Sequence, residues 1–326
     1  MSDPAAAATQ PAGERSWLTA RERGTVFGIK ALFTLATLAG RRATAPIVAM
    51  VALWYALFDR RARAASRAWL ERVRGRPARF RDVYRHLRNF AQVTLDKVFL
   101  LTDRTRGMTF TRTGQELLAP LLANERGAML LGAHLGSHEA LSHGSESEGM
   151  SVEVLGYVAN ARMINALMGQ LNPRHQARVI DIAGNPIDVM ARVQDALEHR
   201  RMVVAMADRT GLDSRVVTAQ FFGSEAPFAG GPFLMAAVLR CPVYLVFALY
   251  TAPNRYDLYM EKFADRIELP RKDRDGALRQ WVQRYAERVE HFARLAPDNW
   301  FNFYDFWAPP VATHKKHRGA EPTPTQ

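Results

Sequence analysis

The sequence predicts an α/β protein: a mostly parallel central sheet flanked by helices, preceded by a basic, apolar helical region that associates with membrane. Three observations lead there. Apolar side chains recur at helical spacing as far as residue 122, and short apolar runs then alternate with helical patterns to about residue 295. Of the 326 residues 48% are apolar, enough for a substantial core. The charge is also unevenly placed. Residues 1–120 carry 21 Lys/Arg against 9 Asp/Glu, whereas residues 121–326 carry 23 of each, so the net +12 belongs to the first third. Strands alternating with helices imply a sheet covered on both faces, whose ligands bind beyond the carboxyl ends of the strands.

Residues 1–24 are rich in Ala and polar side chains and are expected to be a disordered head. They lack the basic stretch and apolar run of a secretory leader. Residues 25–122 form the basic helical region. Two apolar stretches, 27–39 (FGIKALFTLATLA) and 43–58 (ATAPIVAMVALWYALF), are separated by Arg41 and Arg42. Each is shorter than the roughly 18–20 residues needed to cross a bilayer. An arginine-dense run follows, with Trp54 and Trp69 nearby. Apolar helices beside arginine-rich ones read as an anchor lying in the membrane interface. A buried helical hairpin with a solvated basic face is the alternative. Residues 80–99 repeat apolar side chains (Val83, Leu87, Phe90, Ala91, Leu95, Val98) at helical spacing.

The body spans 123–308. Its strand-like runs are AMLLGA (128–133), SVEVLGYV (151–158), ARVIDI (177–182), MVVAMA (202–207), VVTAQFF (216–222), PVYLVFALY (242–250) and YDLYMEKF (256–263). Helical patterns lie through about 147 and across 162–171, 186–200, 231–240 and 274–295. Residues 309–326 are expected to be a disordered tail. The lone Cys241 excludes an intrachain disulfide and a Cys-based zinc cluster, and it suits a reducing compartment.

The chemistry centres on GAMLLGAHLGSHEA (127–140). His134 falls where a strand ends, at the mouth of a cleft. Glu139 lies five positions on, where a turn at Gly136 would let it fold back onto the ring. A carboxylate on one ring nitrogen fixes the tautomer and raises the basicity of the other, which makes a general base. No G-x-S-x-G elbow accompanies it, and Cys241 precedes Pro242 at a strand start. The attacking group is then the substrate's own, as in direct acyl transfer from a thioester to a hydroxyl or amine. Two alternatives stay open: a metal-dependent hydrolase using His134 and His138, and a non-catalytic basic scaffold that binds membrane. A nucleic-acid site fits less well, because the aromatics are not interleaved with the basic run.

HLGSHE fits the H-x-x-x-x-[DE] signature of glycerolipid and lysophospholipid acyltransferases. VVAMADRTG (203–211), QFFGSEAPFAGGPFLMAAVLRCPVYLVF (220–247) and PDNWFNFYDFW (297–307) resemble, in order, segments of the bacterial late acyltransferases of lipid A biosynthesis. The resemblance covers roughly residues 25–308. It implies catalysis at the cytoplasmic face of the inner membrane, with acyl carrier protein or coenzyme A as donor. His134 would be the base and Glu139 its partner, with no metal or redox cofactor. The lipid A enzymes usually read HFGNWE there. Leu135 and His138 replace the aromatic residues, so a relative acting on aryl polyene pigment or ornithine-type lipid fits as well. Substrate-binding candidates are Asp208 and Arg209 after a strand, Arg162 at a helix start, and Gly230 and Gly231, whose N–H groups precede a helix.

Overall fold

The computed structural model describes residues 26–147, 149–156, 179–210 and 215–308. Helix α1 (Val26–Phe58) joins both apolar stretches and bends at Gly40, whose φ of 82° takes it out of the helix. A turn at Asp59 starts α2 (Arg60–Arg74), where the Asp59 carboxylate accepts from the Ala62 N–H at 2.9 Å. Gly75 ends α2 in the left-handed conformation. Helix α3 (Phe80–Leu101) follows. No single helix among the described residues is long and apolar enough to cross a membrane, although α1 from Ala31 and α2, bent by 92°, pass that test together.

The body is a seven-stranded sheet. In chain order its strands are β1 (Thr109–Thr113), β2 (Met129–Gly132), β3 (Val152–Gly156), β4 (Val179–Asp181), β5 (Met202–Met206), β8 (Val243–Thr251) and β9 (Arg255–Ala264). They lie in the order β1-β9-β8-β2-β5-β3-β4. Every pairing is parallel except β8 with β9. The central strands β2 and β5 read as near-continuous apolar runs because both faces are covered. Helices α6 (Pro186–Glu198), α7 (Gly231–Leu239) and α8 (Arg274–Leu295) pack the main core on one face. The short α4 (Leu118–Ala123) and α5 (His138–Ser147) cover the other.

Two expectations fail. The region before residue 122 is not wholly helical: TFTRT forms β1, the edge strand beside β9. Four of its five residues are exposed, so no apolar alternation betrays it. The run at 216–222 is not in the main sheet. It forms β6 (Val216–Phe221), paired antiparallel with β7 (Ser224–Ala229) in a separate hairpin. Phe222 and Gly223 make its turn, both with positive φ. The helix expected across 162–171 falls outside the described residues.

The basic region is fastened to the body by buried polar contacts. Arg41, at the α1 bend, forms a two-pronged ion pair with the fully buried Asp96 of α3 at 2.7 and 2.9 Å. Gln92 and the Tyr256 hydroxyl also donate to Asp96, each at 2.8 Å. Trp69 of α2 donates its indole N–H to the Pro297 carbonyl at 2.7 Å and stacks on Trp300 and Trp307. Arg74 and Arg85 both hold Asp298.

Buried His86 of α3 joins this seam. Its Nε2 donates to the Trp300 carbonyl, and its Nδ1 accepts from the Ser66 hydroxyl of α2, each at 2.8 Å. Burial pushes this imidazole down to about 4. Between the ordinary value of 6.5 and 4, the unfolded chain binds a proton that the folded chain refuses, so stability rises with pH across that window. Acidification from pH 6.5 to 4 should therefore remove about 3 kcal/mol through His86. Denaturant titrations should show a smaller loss for His86→Gln, and an equal loss would place the acid sensitivity elsewhere.

Candidate active site

Parallel pairing of β2 with β5 sets the last residues of the two strands side by side, Gly132 opposite Met206. Two residues beyond each lie His134 and Asp208. The Tyr285 hydroxyl of α8 and the Ala207 N–H hold the Gly132 carbonyl at 2.7 and 3.1 Å. The two chain ends therefore leave the sheet in fixed directions. Asp208 then grips His134 twice. Its Oδ1 lies 2.8 Å from the ring Nδ1, and its Oδ2 accepts the His134 backbone N–H at 3.0 Å. Asp208 is fully buried, while the imidazole is about a quarter exposed, at 27%. A carboxylate on Nδ1 keeps the proton there and leaves Nε2 as the basic nitrogen.

The expected bond between His134 and Glu139 is not formed: Asp208 occupies the Nδ1 position. Gly136, with φ 83°, turns the chain before α5 starts at His138, so His134 and Glu139 do not share a helix. Glu139 instead pairs with Lys97 of α3, Nζ to Oε1 at 2.7 Å. Its Oε2 is buried without a hydrogen-bond partner among the described residues. The His138 ring stands edge-on to His134, centroids 5.6 Å apart. Among the described residues, no group of three or more His, Cys, Asp or Glu side chains is placed to hold a metal ion.

These charges tune one another. Burial alone would raise Asp208, but the His134 ring, its backbone N–H and Arg209 hold it well below the usual carboxylate range. His134 is lowered, by burial first and by Arg209 second, against the opposing pull of Asp208. His138 falls to about 4 through burial and the neighbouring His134. Glu139 is lowered because Lys97 and His138 outweigh its burial. At neutral pH both rings are therefore neutral.

The segment after α8 completes the site. Gly136 N–H donates to the Asn299 carbonyl at 2.9 Å, and Phe301 N–H donates to the His134 carbonyl at 3.0 Å. A side chain at Gly136 would lie 1.8 Å from the Ala248 carbonyl oxygen, so only glycine fits between β8 and this segment. Arg209 donates to the Asn302 side-chain carbonyl at 2.6 Å and to the Phe301 carbonyl at 3.1 Å, and it shares a hydrogen bond with Tyr304. The Asn302 amide donates to Asp208 Oδ2 at 3.3 Å.

The candidates thus fare differently. His134, Asp208 and Arg209 come together, with both Asp208 oxygens bonded to His134. Gly230 spends its N–H on the Arg215 carbonyl at 2.7 Å, and a side chain there would press on Val217 at 2.9 Å, so it serves the turn. A side chain at Gly231 would meet open space. Arg162 lies outside the described residues. Sequence reasoning missed Lys97 and Asn302. The signal for Asn302 was present, since an asparagine inside an aromatic run is a polar group that burial must satisfy.

No curated protein matches the chain. A family model described as bacterial lipid A biosynthesis acyltransferase matches residues 11–308. That match spans most of the chain, which therefore belongs to the bacterial lipid A biosynthesis acyltransferase family.

Proposed function

We propose that this acyltransferase moves a fatty acyl group from a phosphopantetheine thioester, on acyl carrier protein or coenzyme A, to a hydroxyl or amine of a lipid-like acceptor. His134 is the general base and Asp208 its orienter. The two-point grip of Asp208 on His134 carries this reading. Nε2 takes the proton as the acceptor oxygen or nitrogen attacks the thioester carbonyl. The carbon–sulfur bond of the tetrahedral intermediate then breaks, and the imidazolium returns the proton to the leaving thiolate. Lys97 and Arg209 supply positive charge beside the developing oxyanion. Acceptors that fit include lipid A precursors, ornithine-type lipids and aryl polyenes, and mass spectrometry of lipids with and without the active enzyme separates them by one acyl mass.

Glu139 acts with Lys97 at a distance from the proton transfer. His134→Ala should lower kcat/KM at least a hundredfold with the fold intact. Asp208→Asn should cost about as much, through the wrong tautomer, and Glu139→Gln clearly less. If Glu139→Gln proves the more damaging, the sequence-based pairing is right and this one is not. Because His134 lies below its ordinary value, the acid limb of kcat/KM should fall below pH about 6.5, with activity full above it.

The site of action is the cytoplasmic face of the inner membrane. Met50, Trp54, Leu57 and Phe58 at the end of α1 are exposed, and Arg60, Arg61 and Arg67 of α2 lie beside them with their side chains in solvent. Apolar anchors next to cations suit an anionic bilayer. The double variant Trp54→Glu/Phe58→Glu should float with vesicles of anionic phospholipid at least tenfold less than the parent chain. Equal flotation would remove this face as the anchor.

A further inference from the structure

Asn302 is 2% exposed and touches both charged partners of the site. Its carbonyl oxygen faces Arg209, and its amide nitrogen faces Asp208 Oδ2, the same oxygen that receives the His134 N–H. The second oxygen, Oδ1, faces the ring. An amide accepts from a cation on one side and donates to an anion on the other without carrying charge, through two different atoms. Phe301, its neighbour, is tied to the His134 carbonyl through its own N–H.

We propose that Asn302 is a positioning residue for the reaction: interposed between Arg209 and Asp208, it sets how much of the Asp208 charge reaches the His134 ring. Without the amide, the Arg209 Nε loses its acceptor, and Asp208 Oδ2 is the nearest anionic replacement. A guanidinium seated on that oxygen draws charge away from the imidazole. That bond is ionised on both sides, whereas the amide bond it replaces is ionised only at the carboxylate, so it draws harder on Oδ2 than the lost amide donor did. Lys97 of α3 and His138 of α5 also face His134, Glu139 faces His138, and Tyr285 of α8 and Tyr304 face Asp208. Substitution at 302 changes none of these groups.

The test reads the His134 ring directly by 15N NMR titration of the full chain in detergent, with the signal assigned through His134→Asn. Asn302→Ala should move the His134 titration down by roughly one pH unit. Asn302→Asp, which offers Arg209 a carboxylate and adds negative charge beside Asp208, should move it up. In an Arg209→Gln background the downward movement of Asn302→Ala should vanish, because the competing cation is gone. Thermal melts report folding; Asn302→Ser, too short to bridge both neighbours, replaces the alanine variant if that chain fails to fold, with the same direction expected. A purely packing role would slow the enzyme while leaving the titration in place. Equal movements in both variants, none in either, or persistence of the alanine effect without Arg209 would each overturn the proposal. The rate consequence rests on His134 being the base: kcat/KM of Asn302→Ala should fall roughly tenfold, with its acid limb moving alongside the NMR titration. An NMR movement without a matching limb would refute the base assignment and leave the positioning role standing.

Discussion

The two bonds from Asp208 to His134 are the constraint on which the site is built. One carboxylate fixes both the backbone and the ring of the same residue. The ring therefore cannot turn without breaking a contact to a fully buried charge, and a hydrogen bond to a charged group is typically worth about 1.5–3 kcal/mol. The pair is available because β2 and β5 are adjacent and parallel. Neighbouring strands lie about 4.8 Å apart, so equivalent positions beyond their ends meet without any special turn. Burial strengthens the contact and keeps the imidazole neutral, the state in which it can accept a proton.

Residues 297–302 extend that constraint through the molecule. On one side they bind the turn after β2, through the Asn299 carbonyl and the Phe301 N–H, and they reach Asp208 through Asn302. On the other they receive Trp69, Arg74, Arg85 and His86 from α2 and α3. The same short segment thus carries the apolar helices and the catalytic turn. This changes the meaning of the basic charge. Arg41 and Arg74 do not face a bilayer; they neutralise Asp96, Asp82 and Asp298 inside the seam. Only the outward cations, such as Arg60, Arg61 and Arg67, remain for an anionic surface.

Much of this was legible beforehand. The parallel sheet, the helix beginning at Phe80 and the placing of His134 and Asp208 just past strands follow from apolar periodicity, which burial on both faces imposes. What escaped was non-local. The β1 strand, TFTRT, is a half-solvated edge held by pairing with β9 rather than by its own pattern. The partner of His134 was sought five residues along the chain, where spacing rules operate, and lay seventy-four residues away across a strand pair. Lys97 and Asn302 carry no motif, since their roles come from what folds against them. The alternative of a non-catalytic scaffold is overturned by the family, which is one of acyltransferases.

A site built this way balances its charge twice. At rest, Asp208 and Glu139 are matched by Arg209 and Lys97, and the His134 and His138 rings are neutral, so the described side chains sum to nothing. In the proposed reaction a hydroxyl surrenders its proton, His134 gains one positive charge, and the thioester oxygen gains one negative charge nearby. The pair forms inside the same small volume, so the protein meets a dipole rather than a new net charge, and a dipole costs far less than a net charge to create at low dielectric. Glu139 and Lys97 then belong to the resting balance. Without the lysine, the Glu139 carboxylate would pull the proton affinity of His138 upward unopposed. Without the glutamate, an ammonium would oppose proton uptake. With the two paired, burial, Arg209 and Asp208 dominate the proton affinity of His134, and Lys97 adds a smaller downward pull.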